Sequence, residues 1–136
     1  MKSNRSIPAS TVIPVLAYPN VREAADWLCE TFGFTMRVRI ADHRVQLNAG
    51  DGAVVVAERR PRTGDGVMRV MVRVADVDRH YEHARAHGAQ DVHAPADYPY
   101  GERQYTVADL AGHEWTFSQT IADVAPEEWG GESGTL

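Results

Sequence analysis

The sequence is poor in cysteine, has no excess of basic residues and contains no long apolar run. Cys29 is the single cysteine of the 136-residue chain, so no intrachain disulfide can form and no Cys-x-x-Cys zinc motif is present. This cysteine usage is typical of a reducing compartment, and we expect a cytoplasmic protein. The 14 Lys and Arg against 19 Asp and Glu give a net charge of −5, which argues against a nucleic-acid partner. No run approaches the roughly 18 apolar residues of a membrane span, so no membrane association is expected.

The size and hydrophobic content predict one domain, residues 1–136. At 15.0 kDa with 43% hydrophobic residues, the chain has enough apolar surface to build a core without a disulfide or a structural metal.

Two helices are predicted from their caps and their apolar spacing. Asn20 and Glu23 have the spacing of a capping box, apolar residues then recur on one face, and Gly33 ends the helix. Asp76 caps the second helix and Gly88 ends it. The caps are 76 − 20 = 56 residues apart and the glycines 88 − 33 = 55 residues apart, which indicates an internal repeat.

Extended segments of alternating polarity accompany each helix in the same order. One precedes the helix and three follow it, so each repeat is predicted to be a βαβββ unit, at residues 10–59 and 67–120. The predicted strands of the two units are residues 11–18, 34–41, 43–49 and 53–59, and then 67–75, 89–94, 102–108 and 113–119. A Pro-, Gly- and Arg-rich linker spans residues 59–66, and residues 121–136 form a tail that Trp129 is expected to anchor.

The paired units resemble the vicinal oxygen chelate superfamily, which includes glyoxalase, bleomycin-resistance proteins and extradiol dioxygenases. The most specific stretches run from Tyr100 to Tyr105 and from Asp109 to Trp115, and they are similar to the ending of bleomycin-resistance-like members. Leu110 stands where that group usually has proline. The resemblance implies an α+β fold in which two βαβββ units form a curved mixed sheet around a cleft, and it says far less about the reaction.

Metal-dependent members of the superfamily take one ligand from the first and the last strand of each unit. The resemblance places these positions at Ile13, Val56, Arg69 and Thr116. Isoleucine and valine have no donor atom and an arginine repels a cation, so we expect no metal and no other cofactor. Glu58 lies two residues beyond Val56, and a register displaced by two would make it a ligand.

The remaining nucleophiles and histidines do not suggest a catalytic site. Cys29 is expected to be an inert thiol within the first helix, since no basic neighbour lowers its pKa. His83 and His87 are four residues apart, a spacing that permits zinc binding, but no third ligand accompanies them and an exposed helix face is favoured. His113 is expected to pack or bond locally. No catalytic residue is assigned.

The period of two along each strand separates a helix side from a cleft side. Apolar residues are predicted on the helix side, among them Met36, Val38, Ile40, Val45, Leu47, Tyr105, Val107, Trp115 and Phe117. Tyr98 and Tyr100, in the loop before the seventh strand, can close over a planar ligand or anchor the loop. The predicted ligand-binding residues are Arg37, Arg39, Arg44, Gln46, Arg69, Met71, Arg73, Tyr98, Tyr100, Gln104, Glu114 and Thr116.

The five arginines of this set are suited to carboxylate, phosphate or phosphonate groups, which predicts an anionic ligand despite the net negative charge. The alternative is an ordinary solvent-exposed face of an antiparallel sheet. The leading functional hypothesis is metal-free binding of a small molecule, for sequestration or resistance. The alternatives are a metal-dependent lyase, isomerase or dioxygenase of the same superfamily, and a metal-free enzyme using Glu58 or Glu114 as a general base. A homodimer is expected because Trp27 lies outside the apolar stripe of its helix and because relatives commonly form homodimers.

Overall fold

A computed structural model of the chain describes residues 2–59 and 66–136. Two βαβββ units are present, as predicted, and the central part of the predicted linker, residues 60–65, lies outside the described residues. The first unit consists of β1 (Val15–Tyr18), α1 (Val21–Phe32), β2 (Thr35–Ile40), β3 (Arg44–Ala49) and β4 (Gly52–Glu58). The second consists of β5 (Arg69–Arg73), α2 (Val77–Ala86), β6 (Gln90–Tyr98), β7 (Glu102–Ala108) and β8 (Glu114–Thr120), followed by a 3₁₀ helix, Pro126–Trp129. None of the helices described is long and apolar enough to cross a membrane.

Both helices begin and end close to the residues that the sequence predicts. The Asn20 side chain accepts a hydrogen bond from the backbone N–H of Glu23, and Asp76 accepts one from Arg79. α1 ends at Gly33, whose φ of 79° is a left-handed conformation that glycine adopts without steric cost.

The strands form two mixed four-stranded sheets, in the orders β1-β4-β3-β2 and β5-β8-β7-β6. In each sheet the first strand of the unit is parallel to the last, and the other pairs are antiparallel. The α+β class and the two units are therefore confirmed. The single continuous sheet is not observed, because β1 and β5 share no ladder of hydrogen bonds.

Prolines shift two strand boundaries from their predicted positions. β1 starts only after Pro14, whose carbonyl nevertheless accepts a hydrogen bond from the N–H of Val55. β6 extends to Tyr98 and contains Pro95, which an edge strand tolerates because one side of its backbone needs no partner. The register of β6 against β7 shifts between His93 and Ala96, where this proline lies.

The end of α1 joins the two units. Phe32 packs against Trp115 and Phe117 of the second sheet, with ring centroids 5.4 and 4.9 Å away. The last turn of α1 contains no basic side chain, and two histidines of α2 compensate. His80 Nε2 lies 3.1 Å from the carbonyl oxygen of Phe32, and His83 Nε2 lies 3.0 Å from that of Glu30. Imidazole N–H groups thus satisfy carbonyls that the helix itself leaves unpaired.

The family-like stretch from Asp109 to Trp115 forms a second junction. The buried Asp109 carboxylate accepts hydrogen bonds from the Tyr18 hydroxyl of β1 at 2.6 Å and from the Trp115 indole at 2.9 Å. Its other oxygen accepts the backbone N–H groups of Ala111 and His113. Burial, together with the negative charge of Asp109, raises the pKa of Tyr18 and keeps it a neutral donor.

His113 completes this junction across the gap between the sheets. Its Nδ1 accepts the N–H of Met68 just before β5, so its Nε2 carries the proton and donates to the carbonyl of Ala17 in β1. The expectation that His113 bonds locally is therefore wrong, because its partners lie 45 and 96 residues away in the sequence. One imidazole connects the unpaired edge of β1 to the start of β5.

Candidate functional site

The face of each sheet that points away from the helices is the candidate binding surface, and we call it the open face. In the first sheet it carries Val15, Ala17, Ala53, Val55, Ala57, Arg44, Gln46 and Asn48, because their strand neighbours Leu16, Val45, Leu47 and Val56 lie in the core. In the second sheet it carries Arg69, Met71, Arg73, Gln104, Thr106, Glu114, Thr116 and Ser118. The alternation that the sequence predicts is therefore present in six of the eight strands.

A β-bulge in β2 reverses the predicted sides of its second half. The register against β3 shifts between Met36 and Val38, which places Arg39 opposite the core residue Val45. The Arg39 guanidinium lies 3.8 Å from the Asp26 carboxylate on α1. Arg39 therefore belongs to the helix side, and its predicted place in the cleft is wrong.

The same extra residue turns two apolar side chains outward. Val38 lies opposite Gln46, and Ile40 lies opposite Arg44, both on the open face. Their predicted positions on the helix side are wrong for the same reason. Arg37, within the bulge, keeps its predicted side and donates to Gln46 Oε1 at 2.6 Å.

Strand register also corrects the positions at which the family would place metal ligands. Val15 pairs with Val55, and Met71 pairs with Thr116. Since 71 − 15 = 56 is the repeat spacing, Val55 and not Val56 corresponds to Thr116. Val56 is fully buried on the helix side, and Glu58 lies on that side too, because it pairs with Tyr18. Glu58 is therefore not a ligand in the cleft.

The corrected positions do not fit the superfamily's metal site. They are Ile13, Val55, Arg69 and Thr116, of which only the threonine hydroxyl offers a neutral donor atom. Within residues 2–59 and 66–136, no group of three or more His, Cys, Asp or Glu side chains is placed to hold a metal ion.

A groove lies between the β3–β4 turn of the first sheet and strand β5 of the second, and we call it the seam groove. It has a volume of about 290 Å³, which is at the lower end for small-molecule sites. Its walls are mainly apolar, with Asp51 and Arg73 as charged groups. The lining residues are Val12, Pro14, Ala49, Gly50, Asp51, Gly52, Ala53, Val54, Val70, Met71, Val72 and Arg73. Of the predicted ligand-binding residues, only Met71 and Arg73 line it.

Hydroxyl and amide groups form a connected row on the open face of the second sheet. Gln104 Nε2 donates to Ser118 Oγ at 3.0 Å, and this hydroxyl donates to the Glu102 carboxylate at 2.7 Å. Thr106 and Thr116 share a hydrogen bond of 2.7 Å. Gln104, Thr116 and Ser118 are all less than 10% exposed, so these groups are fixed by their partners.

Aromatic rings border this row. Tyr98 is the last residue of β6 rather than a loop residue, and it stacks on Tyr100 with ring centroids 5.4 Å apart. The Tyr100 hydroxyl donates to Gln104, and its ring contacts Trp129 of the tail edge-on. Burial, with contributions from Tyr98 and Glu102, raises the pKa of Tyr100. Trp129 therefore anchors the tail to the rim of the open face, as predicted.

The arginines of the predicted set differ in their availability to a ligand. Arg69 forms an ion pair with Glu114 at 2.6 Å, and Arg37 is bonded to Gln46 and to the carbonyl of Arg5. Neither Arg44 nor Arg73 has a hydrogen bond or ion pair with the described part of the chain. These two guanidinium groups are the ones free to meet an anion.

Three features of the site were not found from the sequence. Glu102 was not singled out, although its alternation with Gln104 along β7 places it on the same face. The small side chains of β1 and β4 were missed because a run such as residues 53–57 contains only alanine and valine. Trp27 is half-buried and packs edge-on against Phe32 at 5.3 Å, so the argument that it lies outside its own core is wrong.

Comparison with known proteins relates this fold to one family. The model of the Glyoxalase/Bleomycin resistance protein/Dioxygenase superfamily matches residues 11–117. The crystal structure of TioX from Micromonospora sp. ML1 is 36% identical with a TM-score of 0.75, and the match covers 83% of this chain and 100% of that one. No curated protein sequence matches the chain.

More distant structures share the fold. A glyoxalase/bleomycin resistance protein from Streptomyces sp. CB03234 is 22% identical with a TM-score of 0.69, over 81% of this chain and 100% of that one. A lactoylglutathione lyase from Agrobacterium tumefaciens is 16% identical with a TM-score of 0.68, over 93% of this chain and 100% of that one. The family match spans most of both βαβββ units, and the chain therefore belongs to the glyoxalase/bleomycin resistance protein/dioxygenase superfamily.

Proposed function

We propose that this protein binds a small organic molecule at its open face and seam groove without a metal ion, and acts by sequestration or resistance. The observation that carries the proposal is the chemistry of the four positions at which the superfamily binds its metal. Ile13 and Val55 have no donor atom, Arg69 is a cation, and the Thr116 hydroxyl is bonded to Thr106. Such a set cannot replace the carboxylate and imidazole ligands of a divalent ion.

The ligand is expected to be anionic. The net charge of −5 attracts cations at long range, but salt screens that field over about 8 to 10 Å. Inside the site, contact distance decides. Arg73 lines the seam groove and Arg44 lies on the open face, and a guanidinium without a partner can bind a carboxylate, phosphate or phosphonate through two parallel hydrogen bonds.

Elemental analysis and thermal unfolding test the absence of metal. We expect purified protein to contain no stoichiometric metal and to show the same unfolding temperature with and without manganese, nickel or zinc. A metal at 100 times its dissociation constant would stabilise the native state by about 2.7 kcal/mol, which is readily detected. Such an effect, abolished by Thr116→Ala, would contradict the proposal.

A thermal-unfolding screen of organic anions tests the ligand class. Arg73→Ala should weaken the binding of a stabilising anion by about 1.5 to 3 kcal/mol, the scale of a hydrogen bond to a charged group. Arg79→Ala on the exposed side of α2 removes the same charge elsewhere and is the matched control. Arg69→Ala should have a smaller effect than Arg73→Ala, because Glu114 already neutralises Arg69. Equal losses in all three variants would indicate a general charge effect rather than a site.

The catalytic alternatives have less support from the geometry. A metal-dependent lyase, isomerase or dioxygenase would need donor atoms that the four positions do not supply. A general base at Glu58 would lie on the helix side, away from the open face, and the Glu114 carboxylate is held by Arg69.

We also propose that the protein is a cytoplasmic homodimer. The lone Cys29 supports the compartment. Apolar side chains on the open face support the dimer, since Val15 and Met71 are 49% and 62% exposed. These two residues replace Trp27 as the basis for expecting a dimer.

A further inference from the structure

The segment before β1 covers part of the open face of the first sheet. Residues 4–7 form a turn in which Asn4 accepts hydrogen bonds from the backbone N–H groups of Ser6 and Ile7. The carbonyl of Arg5 accepts a hydrogen bond from Arg37 Nη2, and that of Ser6 accepts one from Gln46 Nε2, both at 2.9 Å. We call residues 4–8 the strap.

Burial shows that this side of the sheet is covered. No helix packs on the open face, yet Gln46 and Val55 are only 3% and 2% exposed. Pro8 of the strap is itself buried. Met71, on the open face of the second sheet, is by contrast 62% exposed. The first sheet therefore carries a cover that leaves the middle of β5 open.

The strap is not part of the fold that the family shares. The family match begins at residue 11, so residues 4–8 lie outside it. The two units have their cores on the other side of the sheets, and no core residue comes from the strap. The strap can therefore leave without uncovering the core.

We propose that Arg37 and Gln46 form a binding site for a carboxylate or a pair of carbonyl oxygens, and that the strap occupies this site and must be displaced by the ligand. The inference rests on the proposed function, since it assumes that the open face binds small molecules. Two side-chain donors converge here on two neighbouring acceptor oxygens, and the strap supplies these as neutral peptide carbonyls.

The chemistry favours exchange of the strap for an anionic ligand. A hydrogen bond from a guanidinium to a carboxylate is roughly twice as strong as one to a neutral acceptor. The strap, in turn, is tethered to β1 and competes at the high effective concentration of an intramolecular group. Ligand affinity is thus the difference between the two, and the strap lowers the affinity for ligands that lack the paired oxygens.

Trypsin cleavage of the full chain tests whether the strap is docked. The bond between Arg5 and Ser6 lies at the docked carbonyl, whereas the bond after Lys2 precedes the turn and is an internal control. Cleavage after Arg5 requires release of the strap, so Gln46→Ala and Arg37→Ala should each accelerate it by roughly fivefold or more. Neither variant should change cleavage after Lys2. Arg44→Ala, a matched loss of an arginine on the same open face, should change neither rate.

Competition by a small dicarboxylate tests the ligand class. Succinate should accelerate cleavage after Arg5 in the native chain, and succinamide at the same ionic strength should do so less. The acceleration by succinate should disappear in Arg37→Ala. Equal cleavage after Arg5 in native, Gln46→Ala and Arg37→Ala proteins would overturn the strap. Accelerated cleavage in the variants with no response to succinate would overturn the carboxylate site.

These outcomes are separable from those of the proposed function. The protease experiment needs no physiological ligand, so a docked strap can be found even if no metabolite stabilises the protein. If the thermal screen does identify a ligand, Gln46→Ala should bind it no more weakly when it occupies only the seam groove. A ligand of the Arg37 and Gln46 site should instead lose affinity in that variant.

Discussion

At the scale of single residues, Asp109 connects more of the molecule than any motif role would suggest. Tyr18→Phe removes one of the four hydrogen bonds that its buried carboxylate accepts. We expect the variant to lose about 1.5 to 3 kcal/mol of unfolding free energy, the value of a hydrogen bond to a charged group. Urea unfolding measures this difference.

A second tyrosine provides the control. Tyr81 donates to Asp91 at 2.8 Å with the same geometry, but on the exposed side of the second unit. Tyr81→Phe should therefore change stability much less than Tyr18→Phe, because water replaces the lost partner. Equal losses would show that burial at the junction adds nothing.

His80 should make stability depend on pH. Burial lowers the pKa of His80, and the neighbouring His83 lowers it further against the opposing hydrogen bond to Phe32. Between this lowered value and the unfolded value near 6.5, the unfolded chain binds more protons than the native one. This contribution to stability is full above the unfolded pKa and is lost as the pH falls through the folded pKa.

Substitution of His80 isolates its share of the pH dependence. His80→Gln should lose less unfolding free energy between pH 7 and pH 5 than the native protein, although it is less stable at pH 7. Urea unfolding across this range gives both slopes. Parallel slopes would show that His80 does not contribute.

Most residue positions in the site follow from alternation, and the errors have one physical cause. Gln46, Gln104 and Thr116 lie on the predicted side because a period of two holds throughout their strands. Arg39 does not, because a single bulge residue inverts everything after it. No property of residues 35–40 marks the bulge, and the partners Asp26 and Gln46 become known only from the folded sheet.

At the scale of elements, helix capping gives the most direct prediction. Asn20→Ala should cost about 1 kcal/mol, since the N–H of Glu23 loses its acceptor. Asn20→Gly should cost only a few tenths, because glycine suits the extended cap conformation that Asn20 adopts. Chemical denaturation of both variants measures the costs. A glycine variant as unstable as the alanine variant would contradict a role in capping.

The order and type of elements could be predicted because capping residues, glycine stops and alternation agree with one another. The repeat spacing of 56 residues matches the pairing of Val15 with Val55 and of Met71 with Thr116. The division into two sheets could not be predicted. It depends on which groups satisfy the edges of β1 and β5, and the partner of the Ala17 carbonyl is a histidine 96 residues away.

At the scale of the whole molecule, we expect twice the chain mass of 15.0 kDa by light scattering at micromolar concentration. The exposed apolar groups of the open face provide the driving force. Met71→Asp should shift the mass toward the monomer, because it places a charge in that surface. Val92→Asp, at an exposed residue of β6, is the control. A monomer in the native protein would contradict the proposal.

The imidazole of His113 has a further consequence for how the chain comes apart. Because it binds the edge of β1 and the start of β5 at once, neither half can melt without exposing a buried polar group of the other. Heat should therefore unfold both units in one calorimetric transition, with equal calorimetric and van't Hoff enthalpies. An ancestral half-length chain would have had to find the same bridge in a second copy of itself.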